Sequence, residues 1–211
     1  MPDTPPTGEI DPTPAAAHTG RVVLDDEAIR RSLKRIAHEI VERNQGCDGL
    51  YLVAIPNGGV PLGRILVDDL EEITGSRLPL GILDTTLYRD DLAVRGERPL
   101  MRETVMPSSV DGQVVVLVED VVSTGRTIRA AMDALMDFGR PRAVQVVALV
   151  DRGHRELPIK IDYAGKNIPT SAEEKVVLRH SGSETQARLE MAVIKRSSEA
   201  ASDGGPGELR T

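Results

Sequence analysis

The chain is poor in aromatic residues, with no tryptophan, one phenylalanine and three tyrosines among its 211 residues. Its core must therefore be aliphatic. A single cysteine, Cys47, excludes an internal disulfide framework and a cysteine-rich zinc site. Its place near the end of a helical pattern reads as that of a small structural residue. No apolar run approaches the roughly 18 residues that a membrane span needs. Residues 1–20 lack both the basic start and the apolar stretch of a secretory signal, so a cytoplasmic protein without membrane contact is expected. Positive charge is in deficit too: 26 Lys and Arg against 33 Asp and Glu leave a net charge of −7. Any contact with a polyanion must use a local basic patch.

Residues 1–20 hold five prolines, three acids and no Lys or Arg. Such a segment buries too little apolar surface to offset its ordering entropy. It reads as a disordered acidic tail, and so does the Ser-, Ala- and Gly-rich stretch 196–211. The remainder, 21–195, reads as one domain. Within it Ile29, Leu33, Ile36 and Ile40 recur at helical spacing, with Asp25 or Asp26 available as the cap. Leu50–Ile55 reads as a buried strand, followed after Pro56-Asn57-Gly58-Gly59 by a helix carrying Leu62, Ile65, Leu66 and Leu70. Leu80–Leu83, Val114–Val118 and Val144–Val150 read as further strands. Ile128, Ala131, Met132 and Leu135 mark a helix that stops at Gly139 and Pro141. Strands apolar on both faces, alternating with amphipathic helices, predict an α/β fold with a mostly parallel central sheet flanked by helices. Ligands of such sheets bind beyond the carboxyl ends of the strands. Three turns there stand out: 56–59, 84–91 and 119–127.

The third turn carries the most chemistry. Glu119 and Asp120 are expected where the strand of Val114–Val118 ends, two adjacent carboxylates able to accept hydrogen bonds from a pair of neighbouring hydroxyls. Ser123-Thr124-Gly125-Arg126-Thr127 then opens a helix whose unpaired N–H groups, hydroxyls and small glycine can surround a phosphate. A diol site beside a phosphate site describes a ribose 5-phosphate. Each residue alone also fits an ordinary strand–turn–helix with a Ser/Thr cap; the combination is what points to a ligand. Neither a Walker loop nor a dinucleotide fingerprint is present in this turn.

The segment Val115–Thr127 resembles the signature of type I phosphoribosyltransferases. Flanking text narrows the resemblance: Asp84-Thr85-Thr86-Leu87-Tyr88-Arg89-Asp90-Asp91, Gly139-Arg140-Pro141, Val150-Asp151-Arg152-Gly153-His154-Arg155-Glu156-Leu157-Pro158 and Gly165-Lys166-Asn167-Ile168-Pro169-Thr170-Ser171. From about Val22 to Val193 the chain is similar to the bifunctional pyrimidine operon attenuator/uracil phosphoribosyltransferase family, PyrR. The resemblance implies a type I phosphoribosyltransferase fold with a small hood subdomain and a flexible loop. It implies conversion of uracil and phosphoribosyl diphosphate to UMP and diphosphate, with Mg²⁺ carried by the substrate, and a homodimer or higher homo-oligomer. By similarity Glu119 and Asp120 would bind the ribose hydroxyls, and Ser123, Thr124, Gly125, Arg126 and Thr127 the 5-phosphate. Asn57, Gly58, Gly59, Tyr88 and Arg89 would meet the diphosphate, Tyr88 and Arg89 from a loop closing over the site. Arg152 would lie near the base. His154 has no expected proton-transfer role.

Two positions depart from the family pattern. Ser123 stands where relatives vary, and uracil's acidic ring N–H does not require a base there. Asn57-Gly58-Gly59 replaces the family's Thr-Arg-Gly, removing a charge-assisted contact to diphosphate of about 1.5–3 kcal/mol, roughly a factor of 10 to 150. Transferase activity is therefore expected to be weakened. The resemblance also implies binding of a hairpin in pyrimidine-operon mRNA. Arg31, Lys34, Arg35 and His38 share one face of the first helix, and Arg152 and Arg155 would join them. The spacing of Glu27 to Arg31 and of Glu39 to Arg43 equally fits a solvated helix. Two alternatives stay open: a nucleotide-sensing RNA attenuator with weak or lost transferase activity, and a phosphoribosyltransferase for another base without an RNA role.

Overall fold

A computed structural model describes residues 20–90, 101–181 and 188–195. The expected tails, apart from Gly20, lie outside the described residues, as does most of the expected flexible loop. Among the described residues, eight strands and three α-helices follow in the order β1 (Arg21–Leu24), α1 (Asp26–Asn44), β2 (Leu50–Ala54), α2 (Gly59–Thr74), β3 (Leu80–Ile82), β4 (Val114–Val122), α3 (Arg126–Leu135), β5 (Ala143–Asp151), β6 (Tyr163–Asn167), β7 (Glu174–Ser181) and β8 (Arg188–Lys195). No helix among the described residues is long and apolar enough to cross a membrane.

The central sheet has the order β3-β2-β4-β5-β6, and every neighbouring pair in it is parallel. Because β2 and β4 are flanked on both sides, their residues are almost uniformly apolar. Helices α1 and α2 cover one face through Ile29, Leu33, Ile36, Ile40, Leu62, Leu66 and Leu70. Asp25 caps α1 by accepting from Ala28 N at 2.8 Å. Helix α3 covers the other face with Ile128, Ala131, Ala134 and Leu135. A separate antiparallel sheet of order β1-β8-β7 forms the hood, and its Val176, Leu189, Met191 and Val193 join the core on the α1 side. Strands β6 and β7 carry no clear apolar alternation, which is why they went unread in the sequence. Cys47 is buried among the core residues.

Strand β4 runs farther than its apolar run suggests. Val114–Val118 pair with β2 on one side, but β5 continues alongside to Asp151 and supplies partners through Val122. Glu119 and Asp120 therefore lie inside the strand rather than past its end. They point to opposite faces of the sheet. Beyond Val118 the β2 side of β4 is open, and the turn at 56–59 fills only part of it.

That turn is pressed against β4. Asn57 adopts a positive φ of 77°, a conformation asparagine tolerates. Ile55 N donates to Val118 O at 3.0 Å. A Cβ on Gly59 would lie well inside van der Waals contact distance of Val118 O and 3.3 Å from its carbonyl carbon. Gly59→Ala should therefore lower stability by about 1–3 kcal/mol, the usual scale for overpacking. Urea unfolding of the two proteins, compared at equal m-value, measures it.

Candidate active site

A cavity of about 120 Å³ opens at the carboxyl edge of the central sheet, lined by Ile55, Pro56, Asn57, Asp84, Thr85, Thr86, Arg89, Arg102, Glu119 and Thr127. It collects residues from all three turns singled out in the sequence. β2 brings Ile55 and the 56–59 turn, β3 brings 84–89, and β4 with the start of α3 brings Glu119 and Thr127.

Glu119 is the buried carboxylate of this cavity, 9% exposed. Its Oε2 has no hydrogen-bond partner among the described residues. Loss of water and the neighbouring Asp120 charge push its pKa well above the usual carboxylate range, against the pull of Arg89. A buried acceptor without a donor is costly, so its persistence here marks a place where a ligand donor belongs.

Asp120 takes the other face. Its Oδ1 accepts from Val121 N at 2.8 Å, and its carboxylate packs over the backbone of Gly58. A Cβ on Gly58 would fall 2.5 Å from Asp120 Cβ and closer still to the carboxylate. Burial raises the Asp120 pKa, opposed by the Val121 and Asp120 N–H groups and by Lys175 of the hood. The expected pair of carboxylates on one ribose is thus divided in this structure: Glu119 lines the cavity, and Asp120 lies against the turn that was expected to hold diphosphate.

The loop 123–127 is fixed in place by the segment 153–159. Gly125 caps α3 at φ 91°, a left-handed conformation that glycine adopts without cost. Ser123 O accepts from Arg155 Nη1 at 2.6 Å, and Thr124 O from the N–H groups of Glu156 and Leu157 at 3.0 and 3.2 Å. Arg126 reaches outward, with Nε 2.8 Å from Glu156 and Nη1 2.6 Å from Asp90. Those two carboxylates raise its pKa, Glu156 foremost. Thr127 Oγ1 accepts from Arg89 Nη1 at 3.0 Å. Arg89 therefore spans the cavity from the 84–90 turn to the loop, with its charge near Glu119.

Several expected positions lie elsewhere. Tyr88 is outside the cavity lining; its hydroxyl donates to Asp137 beyond the end of α3, and its carbonyl accepts from Arg129 Nη2 at 2.8 Å. Arg152 was expected at the base and on an RNA surface, but its side chain is buried. Its Nε donates to Thr170 Oγ1 at 3.0 Å and its Nη2 to Ser171 O at 3.2 Å, so it stitches the end of β5 to the segment before β7. Arg155 is held by Asp151 at 2.9 Å, Ile159 O and Ser123 O. His154 Nε2 lies 2.6 Å from Thr170 O.

The basic stripe on α1 is largely matched by acids. Arg31 pairs with Glu27. Lys34 reaches Glu72 at 2.6 Å and Asp69 at 3.6 Å on α2. Arg35 pairs with Glu39 and donates to Ala164 O and Gly165 O. His38 is exposed. These pairs are what the solvated-helix reading of the stripe expects.

Asp84, Thr85, Thr86 and Arg102 were not among the expected site residues. The first three follow β3 at the ligand edge of the sheet and could have been assigned by position alone. Arg102 carries no local signal. It reaches the cavity because Asp84 Oδ2 accepts its backbone N–H at 2.6 Å and Val105 bridges back to Ile82.

Comparison with solved structures gives the class. The hypoxanthine phosphoribosyltransferase of Trypanosoma cruzi superposes with a TM-score of 0.62 at 22% identity, covering 84% of this chain and 97% of that one. A hypoxanthine phosphoribosyltransferase from Staphylococcus aureus superposes with 0.57 at 23% identity, over 71% and 77%. At such identity these show the fold, that of a phosphoribosyltransferase. The phosphoribosyl transferase domain family matches residues 22–181. Among sequences, the Bifunctional protein PyrR of Pelotomaculum thermopropionicum is 57% identical over 157 residues, 74% of this chain and 87% of that protein. The Bifunctional protein PyrR of Streptomyces coelicolor is 58% identical over 156 residues, 74% and 81%. The chain belongs to the phosphoribosyl transferase domain family and, within it, to the PyrR proteins.

The raised pKa of Glu119 has a consequence for stability. Its unfolded-state value is about 4.3, so above that pH the folded protein retains a proton that the unfolded chain has released. Stability contributed by this group falls as pH rises from about 4.3 through the folded-state pKa. Glu119→Gln should therefore be more stable than the wild type at pH 8 and equal to it below about pH 4. Thermal unfolding across that range tests it; a variant destabilised at pH 8 would contradict the assignment.

Proposed function

We propose that the protein joins uracil to phosphoribosyl diphosphate, releasing diphosphate and UMP, and that its nucleotide-bound state regulates pyrimidine-operon expression through an mRNA hairpin. The observation that carries the first part is the unpartnered Glu119 Oε2 in a cavity walled by the 123–127 loop, in a chain more than half identical to PyrR proteins. The bifunctional naming of those relatives carries the second.

In the reaction the bond from the ribose anomeric carbon to the diphosphate oxygen breaks and a bond to the uracil ring nitrogen forms. The nitrogen's proton leaves to solvent. Glu119 accepts a ribose hydroxyl and faces the cation-like centre that develops in the transition state. The Ser123–Thr127 loop holds the 5-phosphate at the N-terminus of α3. Arg89, which reaches Thr127 across the cavity with its charge near Glu119, contacts the substrate's phosphates. The substrate is the magnesium complex of phosphoribosyl diphosphate, the ion neutralising the leaving diphosphate. The working protein is a homodimer or higher homo-oligomer.

A second reading is favoured by one observation, the packing of Asp120 against Gly58. It puts an anion where the diphosphate turn needs a cation, which suits a site that senses UMP better than it makes it. Purified protein given uracil, phosphoribosyl diphosphate and Mg²⁺ should produce UMP, and Glu119→Gln should reduce the rate at least about tenfold, the scale of one lost charged contact. Absence of UMP from well-folded wild type would remove the transferase and leave the sensor.

For the regulatory part, a hairpin from the protein's own pyrimidine operon should bind more tightly with UMP than without. Equal affinity for an unrelated hairpin at physiological salt would count against recognition, since phosphate contacts alone carry no sequence information. With Arg31, Lys34 and Arg35 already paired to acids, α1 can contribute only modestly to such binding.

A further inference from the structure

We infer that Arg102 supplies the diphosphate-binding charge that the 56–59 turn lacks, an inference that rests on the phosphoribosyl diphosphate reading of the cavity. Asn57-Gly58-Gly59 offers no cation, and the turn cannot simply accept one. A Cβ at Gly58 would fall 2.5 Å from Asp120 Cβ and nearer its carboxylate, so any side chain there displaces Asp120. Protein charge for the leaving diphosphate, beyond that of the substrate's magnesium, comes from another wall of the cavity. Arg64 of α2 is exposed and absent from the lining. Among the described residues the lining holds two cations, Arg89 and Arg102. Arg89 is drawn to Thr127, on the 5-phosphate side.

Arg102 shares the lining with Asn57, and the backbone around it is fixed from two directions. Asp84 Oδ2 accepts its N–H at 2.6 Å, while Asp84 Oδ1 accepts from Thr86 N and Thr86 Oγ1 at 2.9 and 2.6 Å. Asp84 N in turn donates to Thr104 Oγ1 at 3.1 Å, and Ile82 and Val105 exchange hydrogen bonds at 2.8 Å in both directions. The Asp84 carboxylate thus joins the limb that leaves β3 to the limb that carries Arg102. Its three acceptor contacts among the described residues are with backbone and hydroxyl donors, none of them the guanidinium of Arg102. Arg102 lines the cavity while remaining exposed, and a guanidinium with its fork of donors is suited to diphosphate oxygens.

The test separates the two halves of the substrate. Full-length wild type, Arg102→Gln and Arg102→Lys are titrated by calorimetry with Mg²⁺–phosphoribosyl diphosphate, Mg²⁺–diphosphate and UMP. Arg102→Gln should weaken both diphosphate-bearing ligands by about tenfold or more, the scale of one charged hydrogen bond, and leave UMP within about twofold. Arg102→Lys should recover part of the loss by keeping the charge without the fork. Unchanged diphosphate affinity, or an equal loss for UMP, overturns the inference. Wild type that binds neither UMP nor phosphoribosyl diphosphate overturns the reading of the cavity itself, a result visible before any variant is made.

Discussion

The close approach of the 56–59 turn to β4 governs the shape of the site. Gly59 lets the start of α2 sit on the carbonyl of Val118, and Gly58 lets Asp120 fold over the turn. Both contacts exist because β4 outruns β2 at Val118 and leaves its next residues unpaired on that side. The overhang gives the chain a strand whose alternate side chains face two different tasks. Glu119 enters the cavity and Asp120 packs beneath the turn. A β2 longer by two residues would pair that overhang and close the cavity.

Electrostatically the cavity is held in tension. A carboxyl group with one oxygen shielded from water is kept beside Asp120, and the charge of Arg89 opposes the penalty. Such an arrangement lowers stability and is retained where a ligand makes use of it. A ribose hydroxyl would satisfy Glu119 Oε2, and phosphate would draw Arg89 away from Thr127. A ligand carrying both hydroxyls and phosphate would suit Glu119 and Arg89 together.

The fold was legible because its signals are strong ones. Apolar runs at Leu50–Ile55, Val114–Val118 and Val144–Val150, the last broken only by Gln145, read as buried parallel strands, and the spacing of Ile29, Leu33, Ile36 and Ile40 placed α1 correctly. The hood was less visible, because the residues of β7, Glu174–Ser181, are mostly half-exposed and mixed in character. In the site, Glu119 and Thr127 could be found from local text, since strand-to-helix geometry is encoded by neighbours. The division between Glu119 and Asp120 depends on how far β5 extends alongside, which local text does not state. Arg102 arrives through a hydrogen bond to Asp84, 18 residues earlier in the chain, and nothing near it in sequence marks it. Arg152 sits in family-like text, and local text does not state that its guanidinium ties two segments together.

The same reasoning bears on how catalysis and regulation share one chain. The α1 stripe that the family resemblance made a candidate for RNA is neutralised by Glu27, Glu39, Asp69 and Glu72. Exposed ion pairs of this kind are worth about 0–1 kcal/mol each, so an RNA phosphate can displace the acids only by a small margin per contact. A surface built this way binds weakly unless several contacts form together. A fully unpaired basic face would bind RNA phosphates more tightly, without that dependence on several simultaneous contacts.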